Sequence, residues 1–191
     1  MRRCNRLPVR WLFTDERIGD RLWTSLERLP RGSGVVFRHY RTPNRAALLE
    51  QVDALAVRKG LLLVAADPPT GWTGPRHANR GDRRPGALTA SAHDAAELVR
   101  AARLGAALAF LSPVFPTRSH AAAAALGPLR FGRMARRSPL PVAALGGMDE
   151  HRFRRLKPLG AAGWAAIDAW IPEQDENGPG RKLPGWKPIR S

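Results

Sequence analysis

Hydroxyl, basic and glycine residues gather at two places that could do chemistry together. One is Ser112-Pro113-Val114-Phe115-Pro116-Thr117-Arg118-Ser119-His120; the other is Gly146-Gly147, just past Pro141-Val142-Ala143-Ala144-Leu145. Hydroxyls and cationic side chains hydrogen-bond to oxyanions, and a glycine pair lets bare peptide amides approach one closely. Each cluster follows a short apolar run of the kind that forms a strand buried on both faces. Two such strand ends, joined by an amphipathic helix, suit the capture of a phosphorylated small molecule. They also suit plain tight turns over a packed sheet, so the elements that carry them decide between the two.

Those elements alternate. Val9 to Phe13, Val35 to Phe37 and Leu61 to Ala66 read as strands, ending at Thr14-Asp15-Glu16-Arg17, Arg38-His39-Tyr40 and Asp67-Pro68-Pro69. Leu22 to Leu29 has helical spacing and stops at Pro30-Arg31-Gly32. The next helix has Thr42 as N-cap, Pro43 in its first turn, apolar residues through Leu55, and Gly60 at its far end. Trp72 to Arg84 breaks the rhythm, with room only for a strand fragment near Arg76-His77-Ala78. Regularity returns with a strand at Ala87 to Ser91 and a helix from Asp94 to Leu104. A strand at Ala107 to Phe110, a helix over Leu126 to Arg137 and the strand before Gly146 follow. A helix from Asp149 to Leu159 and a strand at Gly163 to Ile167 complete the order. Strand and helix in strict alternation predict parallel βα units.

The 191 residues suit one compact domain over 1–171, with 172–191 as a polar tail rich in proline and glycine. Cys4 is the single cysteine and has no intrachain partner, which suits a reducing compartment. No apolar run approaches the ~20 residues of a membrane span. The expectation is a cytoplasmic protein without membrane partners, and a homo-oligomer is compatible with the chain.

The net charge of +16 raises the question of nucleic acid. Only Lys59, Lys157, Lys182 and Lys187 among the 32 basic residues are lysine, and the arginines run the whole length of the chain. Arginine, alanine, glycine and proline all being abundant is what a GC-rich coding sequence produces. Neither zinc-finger spacing nor an RNP or KH motif is present, so no specific nucleic-acid partner is expected.

The ordered segments Phe13-Thr14-Asp15-Glu16-Arg17, Val36-Phe37-Arg38, Ser91-Ala92-His93, Ser112 to Thr117 and Ala144-Leu145-Gly146-Gly147 resemble the thiamine-phosphate synthase and thiazole tautomerase superfamily. The resemblance covers roughly Val9 to Ala169. It implies a (β/α)₈ TIM barrel, here shortened or irregular around the third and fourth βα units, since such barrels typically take ~250 residues. It also implies the synthase reaction: a hydroxymethylpyrimidine diphosphate is joined to a thiazole phosphate with release of pyrophosphate, assisted by Mg²⁺.

Residue by residue, the resemblance gives Arg38, Thr117, Ser119 and His120 to the diphosphate as the catalytic set, and Ser91 to the pyrimidine side. His120 stands where the family's motif ends in lysine, and Gly146 and Gly147 match the turn that binds the thiazole phosphate. Asp67 matches a metal ligand, and Asp82, the only acid in the irregular stretch, is assigned as the second. His93 fits a structural hydrogen bond. The departures are Tyr40 for a lysine, Ala66 for an amide, and Asp168 for a serine. Asp168 would repel phosphate unless it turns away or pairs with an arginine. Pro113 replaces the histidine that the tautomerase branch uses for proton transfer, which disfavours that activity. Each assignment has a plainer counterpart: Arg38 as a solvated cation, Asp67 as a turn cap, Ser91 as a helix cap. A barrel that binds phosphorylated ligands without turning them over is the alternative.

Overall fold

The computed structural model describes residues 7–117 and 124–172. Eight parallel strands close into a barrel in chain order: β1 (Arg10–Phe13), β2 (Gly34–Phe37), β3 (Leu62–Ala66), β4 (Arg76–Ala78), β5 (Thr89–Ala92), β6 (Leu108–Leu111), β7 (Val142–Leu145) and β8 (Gly163–Ala166). Closure comes from β1, which pairs with β2 on one side and β8 on the other. Among the described residues the α-helices are α1 (Arg21–Arg28), α2 (Arg45–Lys59), α3 (Ala95–Arg103), α4 (Gly127–Arg137) and α5 (Glu150–Leu156).

Side chains alternate across each strand: the inward set forms one core inside the barrel and the outward set two further clusters under the helices. Trp11 and Phe13 of β1 point inward with Val36, Val64, Leu108, Phe110, Ala143 and Ala165. The rings of Trp11 and Phe13 each meet Phe110 edge-on, at 5.2 and 4.8 Å between centroids. The small residues on β7, β8 and β2 make room for these rings. At Gly34 a Cβ would stand 2.1 Å from the Trp11 indole. Outward residues meet the helices: Leu12, Val35 and Leu63 pack with α1 and α2, while Leu111, Val142 and Ala144 pack with α3, α4 and α5.

The irregularity anticipated around the third and fourth units is real and has a definite form. Arg76 to Ala78 is a true strand, registered with both neighbours, but no helix follows β3 or β4 among the described residues. Side chains hold those connections instead. Arg76 Nη2 donates to the carbonyls of Arg84 and Pro85 at 2.8 and 2.9 Å.

One helix start differs from expectation. Thr42 does not cap α2, which begins at Arg45 after Asn44 takes a left-handed φ of 52°. Asparagine tolerates that backbone, so the turn through Pro43 absorbs three residues before the helix begins. Arg45 then donates to the carbonyls of His39 and Ala66, tying the ends of β2 and β3 together. The other expected helices start within a residue or two of their predicted positions.

Candidate functional site

A cavity of about 280 Å³ opens where the strands end. Arg38 and Tyr40 line it from beyond β2, Asn79 and Arg80 from beyond β4, Ser91 from β5 and His93 from just beyond it. Thr117 enters from the loop after β6, Gly146 and Gly147 from the turn after β7, and Asp168 from beyond β8. Five residues expected to share a site are thus brought to one rim: Arg38, Ser91, Thr117, Gly146 and Gly147.

Arg38 is placed by its own backbone. Its amide donates to the buried Thr14 hydroxyl at 3.1 Å, and its guanidinium lies 5.4 Å from the centre of the Phe13 ring. No carboxylate pairs with it among the described residues, so its charge is available to an anion. Tyr40 contributes no charge. Its hydroxyl donates to Asn79 Oδ1 at 2.8 Å, and burial pushes its phenol above the ordinary range. The Glu16 carboxylate accepts from the amides of Tyr40 and Arg41 and thereby fixes the segment after Arg38.

The glycine pair is required by close packing. Gly146 and Gly147 have φ of 92° and 59°, and a Cβ on either would meet the loop after β6, 2.8 Å from Pro113 Cα or 2.5 Å from the Pro116 carbonyl oxygen. That loop is hydrogen-bonded to β7 and its turn, with Val114 N donating to Leu145 O at 2.9 Å and Phe115 N to Gly146 O at 3.1 Å. Arg152 of α5 donates to the Gly147 carbonyl and lies over the Phe115 ring. The loop carrying Thr117 and the glycine turn are therefore one unit.

On β5, Thr89 and Ser91 point the same way, and both meet His77 of β4. His77 Nδ1 lies 2.8 Å from Thr89 Oγ1, and Nε2 lies 3.0 Å from Ser91 Oγ. The imidazole is wholly buried and meets the Phe13 ring edge-on at 5.5 Å. Burial, with Arg38 and Arg76 nearby, pushes its pKa down to about 3. His93 makes the structural bond expected of it, through Nδ1 to Glu97 at 3.0 Å. Burial works against the Glu97 charge, but bonds from His93 and Arg80 outweigh it and hold the carboxyl below its ordinary range.

The two carboxylates assigned to a metal are arranged unequally. Asp82, with 8% of its side chain exposed, accepts from Arg76 Nη1 at 2.6 Å and from Arg84 Nε and Nη2 at 3.0 and 2.9 Å. Those bonds hold its carboxyl below the ordinary range, chiefly through Arg84. Asp67 has a side chain 68% exposed and only a loose 3.6 Å contact with the same Arg84. Neither lines the cavity, although Asp67 is close enough to influence the Tyr40 hydroxyl. Mg²⁺ takes one or two carboxylates and fills its shell with phosphate and water. Asp67 fits that role, whereas Asp82 is committed to two guanidiniums. No group of three His, Cys, Asp or Glu side chains is placed to hold a metal among the described residues.

Asp168 does face the cavity, and its charge reaches Arg17, whose guanidinium is held above its ordinary range by Asp15 first and Asp168 in addition. Ser119 and His120 lie outside the described residues, as does nearly all of the tail from 172 onward. His77, Asn79 and Arg80 were not anticipated as site residues. The alternation that places Thr89 and Ser91 on one face was the available signal. No helix among the described residues is long and apolar enough to cross a membrane.

A family model described as thiamine monophosphate synthase matches residues 77–170, from β4 through β8. No curated protein sequence matches the chain significantly. Among solved structures, thiamine phosphate pyrophosphorylase from Pyrococcus furiosus superposes with a TM-score of 0.71 at 21% identity, covering 86% of this chain and 87% of that one. A native KDPGal structure gives a TM-score of 0.53 at 13% identity over 82% and 81% of the two chains. The glycerol uptake operon antiterminator regulatory protein from Listeria monocytogenes gives 0.53 at 14% over 81% and 90%. At these identities the superpositions speak to the barrel fold.

Proposed function

We propose, from the thiamine monophosphate synthase model that matches residues 77–170 and from the shared barrel fold, that the chain is a member of that superfamily and that its rim cavity binds a pyrimidine diphosphate and a thiazole phosphate and joins them with release of pyrophosphate. The supporting observation is that Arg38, Ser91, Thr117 and the Gly146-Gly147 turn, from four strand ends, line one cavity. Separate faces would have defeated the reading.

In this reading the carbon–oxygen bond to the diphosphate breaks and the diphosphate leaves with the electron pair. The thiazole nitrogen then supplies its lone pair to the pyrimidine methylene, forming the carbon–nitrogen bond with no proton transferred at either atom. Arg38 binds the diphosphate and opposes the charge that grows as it departs. Thr117 joins Arg38 on the diphosphate, the glycine turn holds the thiazole phosphate, and the packing of the Thr117 loop on that turn sets the spacing between the two substrates. Ser91 faces the pyrimidine side. Mg²⁺, held by Asp67, would neutralise diphosphate charge when bound.

A second reading, a phosphate-ligand barrel without turnover, draws on Tyr40 in place of a cation and on Asp168 facing the cavity. The experiment that separates them is pyrophosphate release by the purified protein with both substrates, with and without Mg²⁺. Release supports the synthase reading. Calorimetric binding of the phosphorylated ligands without release supports the second, and neither binding nor release overturns both.

A further inference from the structure

We propose that His77, from inside the barrel, fixes the direction of the Ser91 hydroxyl, so that Ser91 donates its proton into the rim cavity and selects a hydrogen-bond acceptor on the bound ligand. The choice of ligand rests on the function proposed above; the relay itself rests on geometry alone.

The argument starts at the far end of the relay. Thr89 is wholly buried, and the Thr89 hydroxyl makes one hydrogen bond among the described residues, to His77 Nδ1 at 2.8 Å. A neutral imidazole has one donor nitrogen and one acceptor. If Nδ1 carried the proton, Thr89 would have to accept, and its own hydrogen would be stranded in a dry interior. A buried donor without an acceptor is disfavoured. Thr89 therefore donates to Nδ1, which places the ring proton on Nε2. Nε2–H then donates to Ser91 Oγ across 3.0 Å. With one lone pair of its oxygen occupied by that bond, the Ser91 hydroxyl turns its own hydrogen toward the cavity it lines.

The surroundings keep the relay in one state. Burial, Arg38 and Arg76 all oppose a second proton on the ring, and Asp82 is the one opposing charge. A histidine with ordinary titration would reverse the bond to Ser91 on protonation; this one does not do so at neutral pH. His77 is thus a positioning residue for Ser91. The ligand atom opposite must be an acceptor, such as a pyrimidine ring nitrogen or a phosphoryl oxygen, and a donor group at that point is rejected.

The decisive measurement needs no variant and no turnover. Nitrogen–proton correlation spectra of the wild-type full chain at pH 6 and pH 8 are expected to show His77 protonated at Nε2 only. A proton on Nδ1, or a doubly protonated ring at pH 6, overturns the relay. Failure of pyrophosphate release leaves that spectrum untouched, so the two ideas fail separately. Binding then tests the outward donor, with inorganic pyrophosphate and the uncharged aminohydroxymethylpyrimidine as probes. Ser91→Ala is expected to weaken one of them by about 5- to 10-fold, the size of one hydrogen bond. Loss with pyrophosphate identifies a phosphoryl oxygen, and loss with the pyrimidine identifies a ring nitrogen. Thr89→Val should weaken the same probe, and Thr89→Ser, which keeps the donor, should restore it. Unchanged affinity for both probes in Ser91→Ala overturns the outward donor.

Discussion

Gly147 lies so close to Pro116 that a Cβ on it would stand 2.5 Å from the Pro116 carbonyl oxygen. This contact locks the turn after β7 to the loop that carries Thr117.

Substituting Gly147→Ala therefore has two expected effects. The φ of 59° and the clash together cost on the order of 1–3 kcal/mol of stability. The displaced loop also carries Thr117 away from the turn, so affinity for inorganic phosphate drops by roughly tenfold or more, as for one lost charge-assisted bond. Urea unfolding and calorimetry read the two effects. Wild-type phosphate affinity in a folded variant would refute the linkage.

Arg38 supplies the cavity with a cation that no described carboxylate neutralises. Arg38→Ala should weaken pyrophosphate binding by about 10- to 100-fold, the worth of one or two charge-assisted hydrogen bonds. Arg38→Lys should recover only part of that, because an ammonium cannot bind bidentately. Stability should change little, since the contact to Thr14 is made by the backbone amide. Equal binding by all three proteins would remove Arg38 from the site.

The two aspartates should separate in their phenotypes. Asp82→Asn leaves Arg76 and Arg84 without their shared anion and should destabilise the fold by roughly 1–3 kcal/mol, by analogy with other partly buried charged bonds. Asp67→Asn should leave the unfolding midpoint nearly unchanged, since the side chain is exposed, and raise the Mg²⁺ concentration needed for pyrophosphate release. A midpoint shift in Asp67→Asn with no change in Mg²⁺ demand would reverse these roles.

Acid should expose the buried imidazole. The folded pKa of His77 is about 3, against an ordinary 6.5, so as pH falls below 6.5 the unfolded chain takes up a proton that the fold refuses. Stability from this group is complete above pH 6.5 and drains toward pH 3, at up to about 1.4 kcal/mol per pH unit. His39, also lowered by burial, adds to the slope with the same sign. Glu16, Asp82 and Glu97 add losses only below the ordinary carboxylate range. The slope of stability between pH 5 and 6.5 should flatten in His77→Gln. An unaltered slope in that variant would mean the imidazole is not held neutral.

The barrel was legible because six of its strands are short, mainly apolar runs bounded by glycine, proline or charge, a pattern that buried parallel strands require, while β5 alternates hydroxyls with alanine. The fourth was faint: Arg76, His77 and Ala78 offer no apolar run, and the strand exists through its pairing with β3 and β5. Thr42 misled because threonine before proline reads as a cap, while Asn44 had the backbone freedom to start α2 later. Arg38 and Ser91 were singled out by the family resemblance, and Thr117 and the glycine pair by their place after apolar runs; the fold brings all of them to one cavity. The relay through His77 was not, since its partners lie 12 and 14 residues away on another strand. Asp82's commitment to Arg84, two residues on, was hidden by the abundance of arginine.

The indole of Trp11 lies where a side chain from Gly34 would otherwise go. The two positions therefore hold one volume between them, and neither can be varied alone. A larger residue at 34 is tolerable only with a smaller one at 11, and a trimmed Trp11 leaves a hole that a residue grown from β2 could fill. Change at this point of the barrel interior must come in matched pairs, as it must where Gly147 meets Pro116 at the rim.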